Sequence, residues 1–185
     1  MAKHVAIYTG SFDPITFGHL DVLRRARRLF DTIILAIGHN PEKPALFDFD
    51  ERLEMPRTLV NEMLVAEPGG APVQVHHYTG LTVDFAKKVG ASVIIRGIRN
   101  ITDLASEVQL AITNRQVADI ETVFIVTAET YAFTSSSLIK QVAAMGGDLE
   151  RLSTIVPPLV ISALEAKRDD PAHPLAQLAR DQLAE

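Results

Sequence analysis

Five short runs rich in valine and isoleucine alternate with longer stretches of helical periodicity, and this alternation most constrains the fold. The runs cover residues 5–8, 32–37, 73–77, 93–95 and 123–126, each bounded by Gly, Pro or polar residues. Short, nearly continuous apolar runs belong to strands covered on both faces, and strands alternating with helices form parallel sheets. The expectation is an α/β, doubly wound (Rossmann-like) fold: a five-stranded parallel sheet with helices on both faces, in a single domain. A chain of 185 residues is long enough to bury one substantial core of this kind.

The intervening segments carry the helical signals. Leu20, Leu23, Ala26, Leu29 and Phe30 make one apolar stripe, with Arg24, Arg25, Arg27 and Arg28 largely outside it. Further helices are expected over 50–65, where Pro56 limits the regularity of the early turns, and over 81–89, ended by Gly90. Others are expected over 104–118, over 135–144 before Gly146-Gly147, and over 159–167 after Pro157-Pro158. Residues 67–72 read as a surface loop. The domain is placed at 1–168, followed by a C-terminal extension of unknown role at 169–185, an amphipathic helix or a loose tail.

Composition narrows the function classes. The net charge of −5 argues against a general nucleic-acid binder, which carries a basic face. With no cysteine there is no disulfide framework, thiolate zinc site or cysteine nucleophile, which suits a reducing cytoplasm. No stretch approaches the roughly 20 apolar residues of a membrane span, and the N-terminus lacks a signal-peptide pattern. The expectation is a soluble cytoplasmic protein with no nucleic-acid or membrane partner.

Ligands of doubly wound sheets bind beyond the carboxyl ends of the strands, so the residues following each strand carry the candidate chemistry. The first strand runs into Thr9-Gly10-Ser11-Phe12-Asp13-Pro14-Ile15-Thr16-Phe17-Gly18-His19, and a helix follows at once. Helix N-termini offer unpaired N–H groups and a partial positive charge, a natural phosphate site. This turn is neither a Walker A loop nor a Gly-x-Gly-x-x-Gly fingerprint. His19 taken alone reads as a polar helix cap; its position after the first strand and the Gly-Ser-Phe-Asp-Pro turn favours a phosphate contact.

The remaining strand ends add Asn40, Pro41 and Lys43, then Thr79 to Thr82, then Arg96, Gly97 and Arg99, then Tyr131 to Ser137. Three cationic side chains thus converge on one rim of an acidic chain, which suits a polyanionic small molecule. Arginine's planar fork suits phosphate better than lysine does. Thr134-Ser135-Ser136-Ser137 reads by itself as a helix N-cap, and becomes a phosphate site only by sharing the rim with His19. No Gly-x-Ser-x-Gly elbow surrounds these serines, so a serine nucleophile is not expected. His76-His77 is no metal pair, because adjacent strand residues face opposite ways. His4, His39 and His173 have no partner pattern and receive no role.

These separated blocks, in this order, resemble the phosphopantetheine adenylyltransferases within the Thr/His-x-Gly-His nucleotidyltransferase superfamily. The resemblance rests on residues 8–19, Asn40-Pro41-Glu42-Lys43, Ile95-Arg96-Gly97-Ile98-Arg99 and Thr134-Ser135-Ser136-Ser137-Leu138-Ile139-Lys140. It covers about residues 3 to 165. It implies that ATP and 4′-phosphopantetheine give dephospho-coenzyme A and pyrophosphate, with Mg²⁺, in the penultimate step of coenzyme A synthesis. It also implies a homohexamer and feedback inhibition by coenzyme A.

Carried over by position, the resemblance implies that Ser11 contacts both substrates and Phe12 contacts ATP through its backbone. His19 binds the ATP phosphates and stabilises the transition state, with Lys43 and Arg96 as the other catalytic residues. Lys43, Thr82 and Arg96 meet the phosphopantetheine side. Gly97, Ile98, Arg99 and Glu107 line the ATP site, and Tyr131, Ala132, Phe133, Thr134, Ser135, Ser136 and Ser137 close over it. No protein-borne metal ligand is implied. Thr9 stands where the family often has proline, Tyr131 where some members have tryptophan, and Thr82 occupies a variable position.

Two other readings remain open on the sequence. One is a related enzyme transferring a nucleotidyl group to another phosphorylated acceptor, such as nicotinamide mononucleotide or glycerol phosphate. The other is a non-catalytic nucleotide-binding module.

Overall fold

A computed structural model of the chain describes residues 4–38 and 45–176. The elements are β1 (Val5–Gly10), α1 (Phe17–Ala26), β2 (Thr32–Ile37), α2 (Phe49–Ala66), β3 (Val73–His77), α3 (Thr82–Lys88), β4 (Val93–Ile98), α4 (Ile101–Ala118), β5 (Glu121–Val126), α5 (Ser136–Ala144) and α6 (Pro158–Asp169). The strands form one parallel sheet in the order β3-β2-β1-β4-β5. The chain winds outward from β1 to β3, then restarts on the other side of β1 with β4. The carboxyl ends of β1 and β4 therefore border the switch point, where such sheets bind ligands.

Alternation along the strands divides the core. Ala6, Tyr8, Ile33, Leu35, Ile37 and Ile95 face one cluster, completed by residues of α1, α2, α5 and α6. Ile7, Ile34, Ala36 and Ile94 face the other, completed by Val83 and Ala86 of α3 and Ala118 of α4. The inner strands β1, β2 and β4 thus bury both faces, as period-two geometry requires of a sheet with helices on either side. The edge strands β3 and β5 are only partly covered, contrary to the expectation that all five are covered on both faces. The expected fold class is observed.

Several local expectations are corrected. β4 continues through Arg96 and Gly97, so these residues lie in the strand end and not beyond it. α4 begins at Ile101 and not at 104, because Asn100 caps it by accepting the Asp103 N–H. Leu29 falls past the end of α1 and is 63% exposed, whereas Arg27 is 3% exposed. Arg27 is buried because its guanidinium donates to the carbonyls of Glu67, Gly69 and Ala71, satisfying the turn before β3. α2 runs without a break through Pro56, its Leu53, Leu59, Val60 and Met63 anchored in the core. Burial of that apolar face outweighs the hydrogen bond proline cannot make.

Candidate active site

The first turn is shaped by packing. Phe12 adopts a left-handed backbone with φ of 46°, a conformation strained for a bulky residue. Its ring is buried edge-on against Tyr8, with centroids 5.5 Å apart, and against His19, at 5.1 Å. Contact with both rings compensates the backbone cost and fixes the imidazole from one side.

Thr16 and His19 then close the start of α1 reciprocally. The His19 N–H donates to Thr16 Oγ1 at 3.3 Å, and the Thr16 N–H donates to His19 Nδ1 at 3.0 Å. An Nδ1 that accepts a backbone N–H leaves Nε2 as the protonated nitrogen of the neutral ring. Burial, with Arg99 and Arg96 nearby, pushes the imidazole pKa down to about 4. His19 is therefore both the helix cap and a neutral N–H donor lining the cavity, not a cation.

The two arginines converge on the same rim, but neither is a bare charge. Arg96 Nε and Nη2 reach the two oxygens of Glu107, each at 2.6 Å, and Nη1 donates to the Thr9 carbonyl at 2.7 Å. Burial opposes its charge, yet the hydrogen bonds and attraction of Glu107 outweigh this and hold its pKa above the ordinary value. Arg99 makes the same fork on Asp103, at 2.7 and 2.8 Å, and donates to the Thr134 carbonyl at 2.6 Å. Asp103 is kept below the usual carboxylate range because Arg99 overcomes the opposing effect of burial. The rim read as cationic is thus compensated at both arginines. Lys43, Asn40 and Pro41 lie outside the described residues.

The serine-rich segment is tied to the first turn. Ser135 caps α5 by accepting the Leu138 N–H at 3.0 Å, so the capping expectation holds there. Ser136 Oγ donates to the Pro14 carbonyl at 2.9 Å, and Lys140 Nζ lies 2.6 Å from Asp13 Oδ2. Among the described residues, the buried Thr134 hydroxyl has no hydrogen-bond partner. A buried, unpartnered hydroxyl at a cavity wall is a feature that a bound polar group would satisfy.

Two cavities, of about 290 and 310 Å³, adjoin at these strand ends. Thr9, Gly10, Ser11 and Arg96 line both. Of the residues assigned to ATP, Ser11, Phe12, His19, Gly97, Arg99, Glu107, Tyr131, Thr134 and Ser135 to Ser137 line the first cavity. Ile98, Ala132 and Phe133 do not, and Phe133 is 91% exposed. Thr82 lines the second cavity, its hydroxyl 2.7 Å from the Tyr78 hydroxyl. His77 packs on Phe49 while His76 meets Gln74, so the two imidazoles diverge as expected.

The sequence reading missed Asp103 and Thr127 as lining residues of the first cavity, and Gly38, Tyr78, Ile94, Leu110 and Asn114 of the second. Tyr8 and Thr16, which line the first, fall within the 8–19 block but were given no individual role. Part of this was legible. Asp103 stands four residues after Arg99, and Glu107, Leu110 and Asn114 fall on one helical stripe. The burial of Asn114, one of two buried residues on α4 with Ala118, became visible only in the structure.

This sheet order, with a capped histidine and two paired arginines at its switch point, has the form of a nucleotidyltransferase site. The cytidylyltransferase-like family model matches residues 7–142. The chain is 43% identical to the phosphopantetheine adenylyltransferase of Rhodopirellula baltica, over 93% of both chains. It is 45% identical to that of Geotalea daltonii, over 90% of this chain and 98% of the relative. The chain belongs to the phosphopantetheine adenylyltransferase family. In structure it is similar to the nicotinic acid mononucleotide adenylyltransferase of Plasmodium falciparum, with a TM-score of 0.57 and 17% identity. That likeness covers 91% of this chain and 97% of the other, and it bears on the fold alone.

Proposed function

We propose that the chain is a phosphopantetheine adenylyltransferase, transferring the adenylyl group of ATP to 4′-phosphopantetheine in coenzyme A biosynthesis. The observation that carries this reading is the pair of adjoining cavities sharing Thr9, Gly10, Ser11 and Arg96. Two substrates held in separate cavities can meet only at that shared wall. The first cavity takes ATP and the second the acceptor. An acceptor phosphate oxygen attacks the α-phosphorus in line, a P–O bond to the acceptor forms, and the bond to the β-phosphate oxygen breaks as pyrophosphate leaves. The attacking phosphate is already ionised, so no general base is needed.

Positioning and charge stabilisation are then the protein's tasks. His19 donates from Nε2–H to the phosphate where charge develops, with its ring orientation fixed by Thr16 and Phe12. Being neutral, it adds a hydrogen bond without trapping the anionic product. Arg96, shared by both cavities, faces the acceptor and the transferring phosphate; Glu107 and Thr9 hold its fork in place. Arg99 holds the 131–134 segment over the ATP cavity through the Thr134 carbonyl. Ser11, Phe12, Gly97 and the 134–137 segment bound the ATP side, while Thr82 and Lys43 serve the acceptor.

Mg²⁺ enters this reading on the ATP phosphates, where it supplies further charge neutralisation. Among the described residues no three His, Cys, Asp or Glu side chains cluster as a metal site, and both cavity carboxylates are engaged by arginines. The same reading places the nucleotidyltransferase domain at 1–168 and the protein in the cytoplasm. No helix among the described residues is long and apolar enough to cross a membrane. It also includes a homohexamer inhibited by coenzyme A. In support of self-association, α4 leaves Ile101, Leu104, Val108 and Ile112 exposed on one stripe, an apolar face that another copy would cover.

Pyrophosphate release with ATP, Mg²⁺ and 4′-phosphopantetheine tests the function. Turnover is expected with this acceptor and not with nicotinamide mononucleotide or glycerol phosphate. Tight ATP binding with no turnover on any acceptor would overturn the enzymatic reading.

A further inference from the structure

The C-terminal segment, to which the sequence assigned no role, is docked on the stretch leading into α2. After α6 the chain turns tightly. The Asp170 carbonyl accepts the His173 N–H at 3.0 Å, and Asp170 Oδ1 accepts the Ala172 N–H at 2.9 Å. The Leu175 N–H donates to His173 Nδ1 at 3.1 Å, which leaves the proton on Nε2. That nitrogen donates to the Leu46 carbonyl, 3.2 Å away and 127 residues earlier in the chain. Leu175 and Ala176 are 3% and 1% exposed, and Leu175 belongs to the same core cluster as Phe47.

The other side of this stretch is gripped by the first turn. Asp13 accepts the N–H groups of Leu46 and Phe47, each at 2.9 Å. α6 adds a second hold, since Lys167 Nζ lies 2.8 Å from Glu51, the residue that completes the α2 capping box on Asp48. One residue further on, the buried Arg52 donates from Nη1 to the Gly38 carbonyl at 3.2 Å. Gly38 lines the second cavity. A continuous path therefore joins the C-terminal segment to the rim of that cavity, through Leu46, the start of α2 and Arg52.

We propose that residues 167–176 act as a positioning strap for the acceptor cavity, with Lys167, His173 and Leu175 as positioning residues. The strap fixes where α2 begins and hence where Arg52 holds Gly38. Order imposed before binding need not be paid for during binding, so the strap favours the acceptor selectively. Asp13 ties the same stretch to the first turn of the ATP cavity, where Lys140 of α5 is a second anchor, whereas the Arg52–Gly38 contact lies on the acceptor side alone. The proposal rests on the assignment of the second cavity to 4′-phosphopantetheine.

The test uses the full chain with His173→Ala, His173→Gln and Leu175→Ala. Steady-state pyrophosphate release is measured with each substrate varied in turn. In His173→Ala the KM for 4′-phosphopantetheine is expected to rise about three- to tenfold, the scale of one lost hydrogen bond. KM for ATP and kcat are expected to stay within about twofold of wild type. His173→Gln, whose amide can still donate to Leu46, is expected to restore most of the affinity. Unchanged constants, or KM values for both substrates rising together, would overturn the strap. Amide exchange over residues 45–53 of the unliganded protein gives a second readout: faster exchange in His173→Ala supports the strap, and unchanged protection overturns it. A wild-type chain that releases no pyrophosphate with this acceptor would instead refute the proposed function, and with it the assignment of the second cavity.

Discussion

Thr16 and His19 hydrogen-bond to each other in both directions, so the nitrogen that caps helix α1 is not the nitrogen available to a phosphate. The two roles can therefore be separated by mutation. His19→Asn keeps an acceptor near the Nδ1 position and has no atom at Nε2. Its kcat is expected to fall about 10²- to 10³-fold, the scale of one lost transition-state donor, with little change in the urea midpoint. Thr16→Ala is expected to cost about 1 kcal/mol of stability and less activity than His19→Asn. Near-normal turnover in His19→Asn would remove the imidazole from the chemistry.

His19 should titrate far below an ordinary histidine. Its pKa is about 4 in the folded protein against 6.5 for the free side chain, because burial and Arg99 disfavour the charged ring. Between these values the unfolded chain takes up the proton first. The contribution to stability is therefore full above pH 6.5 and declines as pH falls toward 4. Imidazole NMR resonances followed against pH would show this directly. A His19 resonance titrating near 6.5 would contradict it.

Arg96 and Glu107 should be energetically coupled. Their side chains are 24% and 17% exposed, so solvent screens the pair less than it would a surface ion pair. A double-mutant cycle with Arg96→Met and Glu107→Gln, read by urea unfolding, is expected to give a coupling of about 1–3 kcal/mol. Arg96→Lys should recover little of it, because an ammonium cannot make the two-pronged contact. Strictly additive single-variant effects would mean the pair contributes nothing.

Asp13 joins three segments: the first turn, the stretch before α2, and α5 through Lys140. Asp13→Ala leaves two backbone N–H groups and an ammonium without their acceptor. A loss of about 3–5 kcal/mol is expected, as for a broken buried ion pair. Lys140→Met, which removes only one of the three contacts, is expected to cost less. Equal effects from the two substitutions in chemical denaturation would contradict the role of the backbone bonds.

The elements and the first turn were legible because period-two and helical patterning are local signals. The two arginines were legible for the same reason, standing beside a glycine at the end of a Val-Ile run. Their charge balance was not. Asp103 stands only four residues after Arg99, in the first turn of α4, but Glu107 meets Arg96 only because β4 and α4 are adjacent in space. The neutral state of His19 was equally hidden, since it depends on burial and on two guanidinium groups at the end of β4 and just beyond it. Arg27 misled for a related reason: its partners lie 40 to 44 residues onward.

Sequence alone determined the α/β class, the glycine-bearing turn from the first strand into the first helix, and the residue types gathered on one rim. Hydrophobic periodicity and capping chemistry act over a few residues, so they can be read without a fold. Tertiary structure decided which charges are compensated, which imidazole nitrogen is free, and how the C-terminal segment grips Leu46. Those depend on distance and burial between segments up to 127 residues apart. Local sequence carries no measure of either.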